Sequence, residues 1–151
     1  TGKMKFMLKG SVTLGTMAGA NIEIAQEAGK ENEYIFGASV EEVHEKRGGY
    51  HPWEYYDNDP IIHRIMDTLI DGTFNDNGTG MLRSIFDKLR GEDTYMSLYD
   101  FKDYVRVKKM ANADYGTDEF YTKSILNLAN AGKFSSDRAI LQYAKEIWHV
   151  K

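Results

Sequence analysis

The sequence contains no cysteine. Disulfides, thiolate metal sites and a cysteine nucleophile are excluded, and the composition agrees with a reducing compartment. Proline is scarce, at two residues in 151. With 42% hydrophobic and 13% aromatic content, that excludes a collagenous, low-complexity or disordered chain. No run approaches the roughly 20 apolar residues of a membrane span, so no membrane partner is expected. Neither charge dominates: 19 basic and 23 acidic residues leave a formal charge of -4. That balance, without a stripe of basic and aromatic residues, argues against a nucleic-acid partner. An initiating methionine is missing too. Thr1 to Phe6 has neither a long apolar run nor a small-residue cleavage site, so it reads as a cut end and not as a signal peptide. At 17.2 kDa the chain is the size of one ordinary domain, and a single core is the default expectation.

The charge that is present is unevenly placed. Residues 1–22 hold Lys3, Lys5 and Lys9 with no acid, whereas residues 23–80 carry thirteen acids against four bases. An anion is therefore expected at the basic end. Residues 3–9 form a short lysine-bearing helical candidate. Ser11 to Gly15 suits a strand, as does Glu33 to Gly37. Between them Ile24, Ala25 and Ala28 repeat at helical spacing and stop at Gly29, which predicts a helix over 20–28 with a glycine C-cap. Strand, helix and strand in so short a span imply a parallel pair with a right-handed crossover. Two strands are too few for a free-standing sheet.

Beyond residue 38 the reading is helical. Ser39 with Glu42 forms a capping box opening a helix over 39–47, closed by Gly48-Gly49. Asp59-Pro60 opens the next, with Ile61, Ile62, Ile65, Met66, Leu69 and Ile70 as its apolar face and Gly72 as its end. Met81, Leu82, Ile85, Phe86 and Leu89 repeat that pattern. Further helices fit 99–114, 117–131 and 135–149, the last opened by a capping hydroxyl in Ser135-Ser136-Asp137. The one obvious loop is Asp71 to Gly80. Tyr55-Tyr56 and the tyrosines of 99–104 read as wedges between helices.

Lys5 lies between Met4 and Phe6-Met7-Leu8. A lysine in apolar surroundings loses proton affinity, which is the condition for nucleophilic or imine chemistry. The plainer alternative is a surface lysine snorkelling past its neighbours. Thr1-Gly2 precedes the helix, and free amides, a hydroxyl and a glycine permitting close approach are what a phosphate requires there. A phosphate-bearing aldehyde such as pyridoxal phosphate would use both features.

Thr1-Gly2-Lys3-Met4-Lys5-Phe6-Met7-Leu8-Lys9-Gly10 resembles the pyridoxal-lysine signature of the α-glucan phosphorylases, T-G-N-M-K-F-M-L-N-G. Gly15-Thr16-Met17-Ala18-Gly19-Ala20-Asn21-Ile22-Glu23 is similar to that family's G-T-x-D-G-A-N-V-E, and Glu33 to Gly37 to its F-I-F-G strand. Gly132 to Arg138, then Gln142-Tyr143-Ala144 and Glu146-Ile147-Trp148, resemble its near-terminal G-K-F-S-S-D-R and Y-A-R-E-I-W. The matches run in order along the whole chain.

This resemblance implies an α/β fold: the incomplete C-terminal part of a Rossmann-like domain of the glycosyltransferase B type, with short parallel strands followed mostly by α-helices. Residues 1–38 would be a strand-helix-strand unit carrying the cofactor lysine, and residues 39–151 the helical part. It also implies a pyridoxal-phosphate-dependent enzyme that releases glucose 1-phosphate from an α-1,4-glucan using inorganic phosphate. Lys5 matches the lysine joined to the cofactor as an imine, and Thr1 and Gly2 match residues that hold its phosphate. In the family that phosphate exchanges a proton with the substrate phosphate, so general acid catalysis and preorganised positive charge carry the reaction. A cytoplasmic homodimer is implied for the complete enzyme, and the isolated chain is expected to be inactive.

Three positions depart from the pattern. Lys3 and Lys9 stand where the family has Asn, and Ala18 where it has Asp. Lysine is a long donor that cannot accept, and alanine offers no polar group. Lys9 lies one helical turn from Lys5, where repulsion would lower the proton affinity of Lys5; extra positive charge could instead tighten a phosphate. The eroded pattern motivates a second reading, a non-catalytic module that binds a partner through apolar surfaces.

Other motifs fail on spacing. His44-Glu45 lacks the second histidine of a zinc-protease helix. Asp71 to Asp76 lacks the turning glycine of a calcium loop at its required place. Gly15, Gly19 and Gly29 do not form the dinucleotide fingerprint. No metal is expected.

Overall fold

The protein is seen in a computed structural model that describes residues 2–150. The chain divides into two compact units, one made of the residues up to Phe36 and those from Arg106 onward, the other of Gly37–Val105. Each has its own apolar cluster, in place of the single core expected from length.

The first unit opens with α1 (Gly2–Met7), β1 (Leu14–Thr16), α2 (Ala20–Ala28), a 3-10 turn at Lys30–Asn32 and β2 (Tyr34–Phe36). The two strands pair in parallel, with Leu14 opposite Tyr34, Gly15 opposite Ile35 and Thr16 opposite Phe36. The expected parallel pair is present, although β1 begins at Leu14 and not at Ser11. A strand exists only where a partner lies opposite, and β2 provides three residues. The helix α2 has the bounds its periodicity predicts, and Gly29 (φ 90°) ends it, donating its N–H to Ala25 O at 3.0 Å.

The later part of this unit holds the end of α7 (Ser97–Asp114), α8 (Asp118–Ala129), a 3-10 turn at Ala131–Phe134 and α9 (Ser136–Glu146). Met7, Ile24, Ala28 and Ala131 form its buried cluster, with Phe134 packed against it. Full burial of a side chain such as Met7 or Ile24 contributes about 1.5–3 kcal/mol. Ser135 does not cap α9 with its hydroxyl, contrary to expectation. On α9, Ile140, Leu141 and Tyr143 are exposed, as are Ile147 and Trp148 just beyond it.

The second unit contains α3 (Val40–Arg47), α4 (Pro52–Asn58), α5 (Pro60–Asp67), α6 (Met81–Gly91) and the start of α7. The predicted capping box is formed: Glu42 N–H donates to Ser39 Oγ at 3.2 Å, and Ser39 N–H to Glu42 Oε2 at 2.8 Å. The helix α4 is not evident in the hydrophobic pattern. Pro52 at its first turn marks its start, but seven residues are too few to display a period. The helix α5 stops at Asp67, short of Gly72. Asp59 caps it, accepting from Ile61 N–H at 2.9 Å and Ile62 N–H at 3.2 Å.

The cluster of this unit is Ile62, Met66, Phe86 and Leu98, with Tyr55, Tyr56, Leu69, Leu89 and Phe101 against it. Tyr56 meets Phe86 edge-on at 5.4 Å and stacks on His63 at 4.2 Å. The tyrosine pair therefore packs between helices, as its spacing suggested. No helix among the described residues is long and apolar enough to cross a membrane.

Candidate functional site

The helix α1 is held by two features of its own sequence. Met7 is fully buried and fixes one face. The other attachment runs through Asn21, itself only 2% exposed at the start of α2. Lys3 Nζ donates to Asn21 Oδ1 at 3.0 Å, and Asn21 Nδ2 donates to Thr16 O at 2.7 Å. One amide thus ties α1 to the end of β1. Gly15 makes this possible, because a Cβ there would lie 2.5 Å from Asn21 Nδ2. The motif residues Gly15, Thr16 and Asn21 therefore form one structural device. Lys3, which departs from the family pattern, is part of it.

Lys5 is exposed and has no hydrogen bond or ion pair with any described residue. Its neighbours do not enclose it: Phe6 is 61% and Leu8 40% exposed, and only Met7 of that apolar run is buried. Gly2 begins α1, and a Cβ on it would meet nothing within 4 Å. Thr1 lies outside the described residues. Lys9 and Ala18 are exposed.

Chemically, an exposed primary amine is a group that can condense with an aldehyde. The Lys5 amine is uncommitted and reachable, the Lys3 amine is engaged by Asn21, and the space beside Gly2 is open. Sequence reasoning placed Asn21 inside a motif but gave it no task. The signal available was its position, one residue past the Gly19-Ala20 turn into α2.

Comparison with known proteins bears on the whole of this arrangement. Residues 1–150 match the carbohydrate phosphorylase family profile. The chain belongs to the carbohydrate phosphorylase family. It is 42% identical over 153 aligned positions to the glycogen phosphorylase of Synechocystis sp., 43% to the muscle form of Ovis aries and 42% to that of Homo sapiens. In each case the match covers all of this chain and 18% of the relative. The mostly helical structure with two short parallel strands is consistent with part of the α/β domain of such phosphorylases.

Proposed function

We propose that the chain is the C-terminal portion of an α-1,4-glucan phosphorylase, an enzyme that uses inorganic phosphate to release glucose 1-phosphate from glycogen, starch or maltodextrin. The observation that carries this reading is the uncommitted Lys5 amine on α1, within a chain that matches glycogen phosphorylases along its whole length.

In this reading Lys5 would hold pyridoxal phosphate covalently through its amine, and Thr1 and Gly2 are the residues that would serve its phosphate. Bound there, the cofactor would supply a phosphate able to exchange a proton with the substrate phosphate. The chain's own residues orient and charge the site. The bond from Lys3 to Asn21 fixes α1 on β1, and the basic segment 1–22, free of acids, favours an anion.

The rest of the catalytic apparatus belongs to the other 82% of such an enzyme, since the match covers 18% of the relatives. A glycosyltransferase B arrangement, a cytoplasmic location and a homodimer belong to that complete enzyme. Positioned donors across the cleft supply most of the rate in such chemistry, so residues 1–151 alone are expected to release no glucose 1-phosphate. The exposed apolar residues of α9 suit a segment that packs against further polypeptide.

The test is a chimera in which residues 1–151 replace the matching segment of a muscle glycogen phosphorylase. Glucose 1-phosphate release is expected, and it should disappear with Lys5→Arg. A folded chimera that binds glucan yet releases none would contradict the reading.

A further inference from the structure

The loop between α5 and α6 contains the run Asn75-Asp76-Asn77-Gly78-Thr79-Gly80. Of the eight asparagines in the chain, Asn77 alone is followed by glycine. The turn explains the pair. Asn77 has φ 55° and Gly78 φ 76°, and two successive residues in the left-handed region select Asn-Gly: glycine has no Cβ to clash, and asparagine tolerates that region better than most residues.

The same pair carries a chemistry of its own. Asparagine presents an electrophilic amide carbon to the next backbone nitrogen, and a following glycine leaves that nitrogen unshielded. A Cβ placed on Gly78 would meet nothing within 4 Å. Asn77 is exposed, and its side-chain amide makes no hydrogen bond with any described residue, so it is free to reach the nitrogen. The other asparagines differ. Asn21, Asn32 and Asn127 are buried, while Nδ2 of Asn58 and of Asn130 donates to a carbonyl one helical turn back. Asp71-Gly72 in the same loop also offers a glycine, but Asp71 Oδ1 accepts from Thr73 N–H at 2.8 Å. Bonds from Thr73 hold the Asp71 carboxyl below its ordinary 3.8, and an ionised carboxylate is a poor electrophile.

We propose that Asn77-Gly78 is a self-modifying site at which the chain deamidates. Gly78 N attacks Asn77 Cγ. The new N–Cγ bond closes a five-membered imide as the Cγ–Nδ2 bond breaks, and the proton lost from Gly78 N leaves on the departing ammonia. Water, the one co-reactant, then opens the imide. Opening at the side-chain carbonyl gives aspartate; opening at the backbone carbonyl gives isoaspartate, whose main chain runs through Cβ and Cγ. Either product carries one more negative charge than the parent.

The mark falls where α6 begins. Gly78 N–H donates to Asp76 Oδ1 at 3.1 Å, and Leu82 N–H, in the first turn of α6, donates to Asp76 Oδ2 at 3.3 Å. The imide has no N–H to give Asp76, and the isoaspartyl chain inserts a carbon inside the segment that this cap spans. Deamidation therefore loosens the start of α6.

The chain is incubated under mildly alkaline conditions and followed by ion exchange, intact mass and peptide mapping. The expected result is a more acidic species in which an NH2 has been exchanged for OH at residue 77, part of it isoaspartate. That species should be lost in Asn77→Gln, whose longer side chain would have to close a six-membered ring. Conversion first at another asparagine, or none at residue 77 in the time in which the urea-unfolded chain is converted, overturns the site. Should the variant fail to fold, the mapping of the parent decides alone. The separated isoaspartyl species should have a lower denaturation midpoint than the parent, whereas Asn77→Asp, with the charge but an ordinary main chain, should stay closer to it. An isoaspartyl species as stable as the parent overturns the loosening of α6.

Discussion

Lys3 Nζ and Asn21 Oδ1 are joined by a hydrogen bond of 3.0 Å that spans α1 and α2. Because the same Asn21 amide also donates to Thr16 O, it is the joint through which β1 sets the position of α1. Asn21→Ala should remove both bonds and leave the Thr16 carbonyl with the Ala18 N–H, at 2.9 Å, as its remaining donor. A destabilisation of about 2 kcal/mol is expected, read as a lower urea midpoint with an unchanged slope. Lys3→Asn, which restores the family's residue, should cost less than about 1 kcal/mol, since only a partly exposed bond is lost.

Gly15 is required by proximity. Its Cβ would stand 2.5 Å from Asn21 Nδ2, inside any van der Waals contact. Gly15→Ala should therefore cost about 1–3 kcal/mol through displacement of that amide. Paired with Asn21→Ala in a double-mutant cycle, it should show strong coupling, because removing the amide relieves the clash. Additive effects would refute the explanation.

Asp100 gives the second unit a pH dependence of defined sign. Its Oδ1 accepts from Ala38 N–H at 2.8 Å, yet burial raises its proton affinity, reinforced by Asp103, Asp93 and Glu42. Its folded value lies above the ordinary 3.8. Its contribution is then fully present below 3.8 and lost as pH rises through the folded value. Asp100→Asn keeps the acceptor for Ala38 and removes the charge. At neutral pH it should raise the denaturation midpoint, and the difference should close toward pH 3. A variant less stable at neutral pH would contradict this.

Ser39 and Ser135 look equivalent as helix-opening hydroxyls, but only the first makes a cap bond. Ser39→Ala should cost about 1 kcal/mol. Ser135→Ala should stay within about 0.5 kcal/mol of the parent. Thermal unfolding of the two variants side by side distinguishes them.

These residues also show what a sequence reveals. The bounds of α2 and the capping box of α3 were legible, because periodicity, Gly29 and the Ser39–Glu42 spacing act within a few residues. The start of β1 was not, because it depends on where Tyr34–Phe36 lie opposite. The helix α4 was hidden by its brevity. The end of α5 depended on tertiary packing: Ile62 and Met66 are buried, while Ile70 beyond it is 39% exposed.

At the site, the exposed Lys5 is the plainer of the two readings that its neighbours allow, and Phe6 and Leu8 beside it are exposed as well. The roles of Asn21 and Glu33 depend on partners 18 and 20 residues distant. No local pattern encodes such contacts.

The central claim is that the Lys5 amine is the attachment point for pyridoxal phosphate. Incubation of the chain with that cofactor, reduction with borohydride and peptide mapping tests it most directly. The account predicts modification concentrated on Lys5 and abolished by Lys5→Arg. Modification spread evenly over Lys3, Lys9 and the other surface lysines, or none at all, would contradict it.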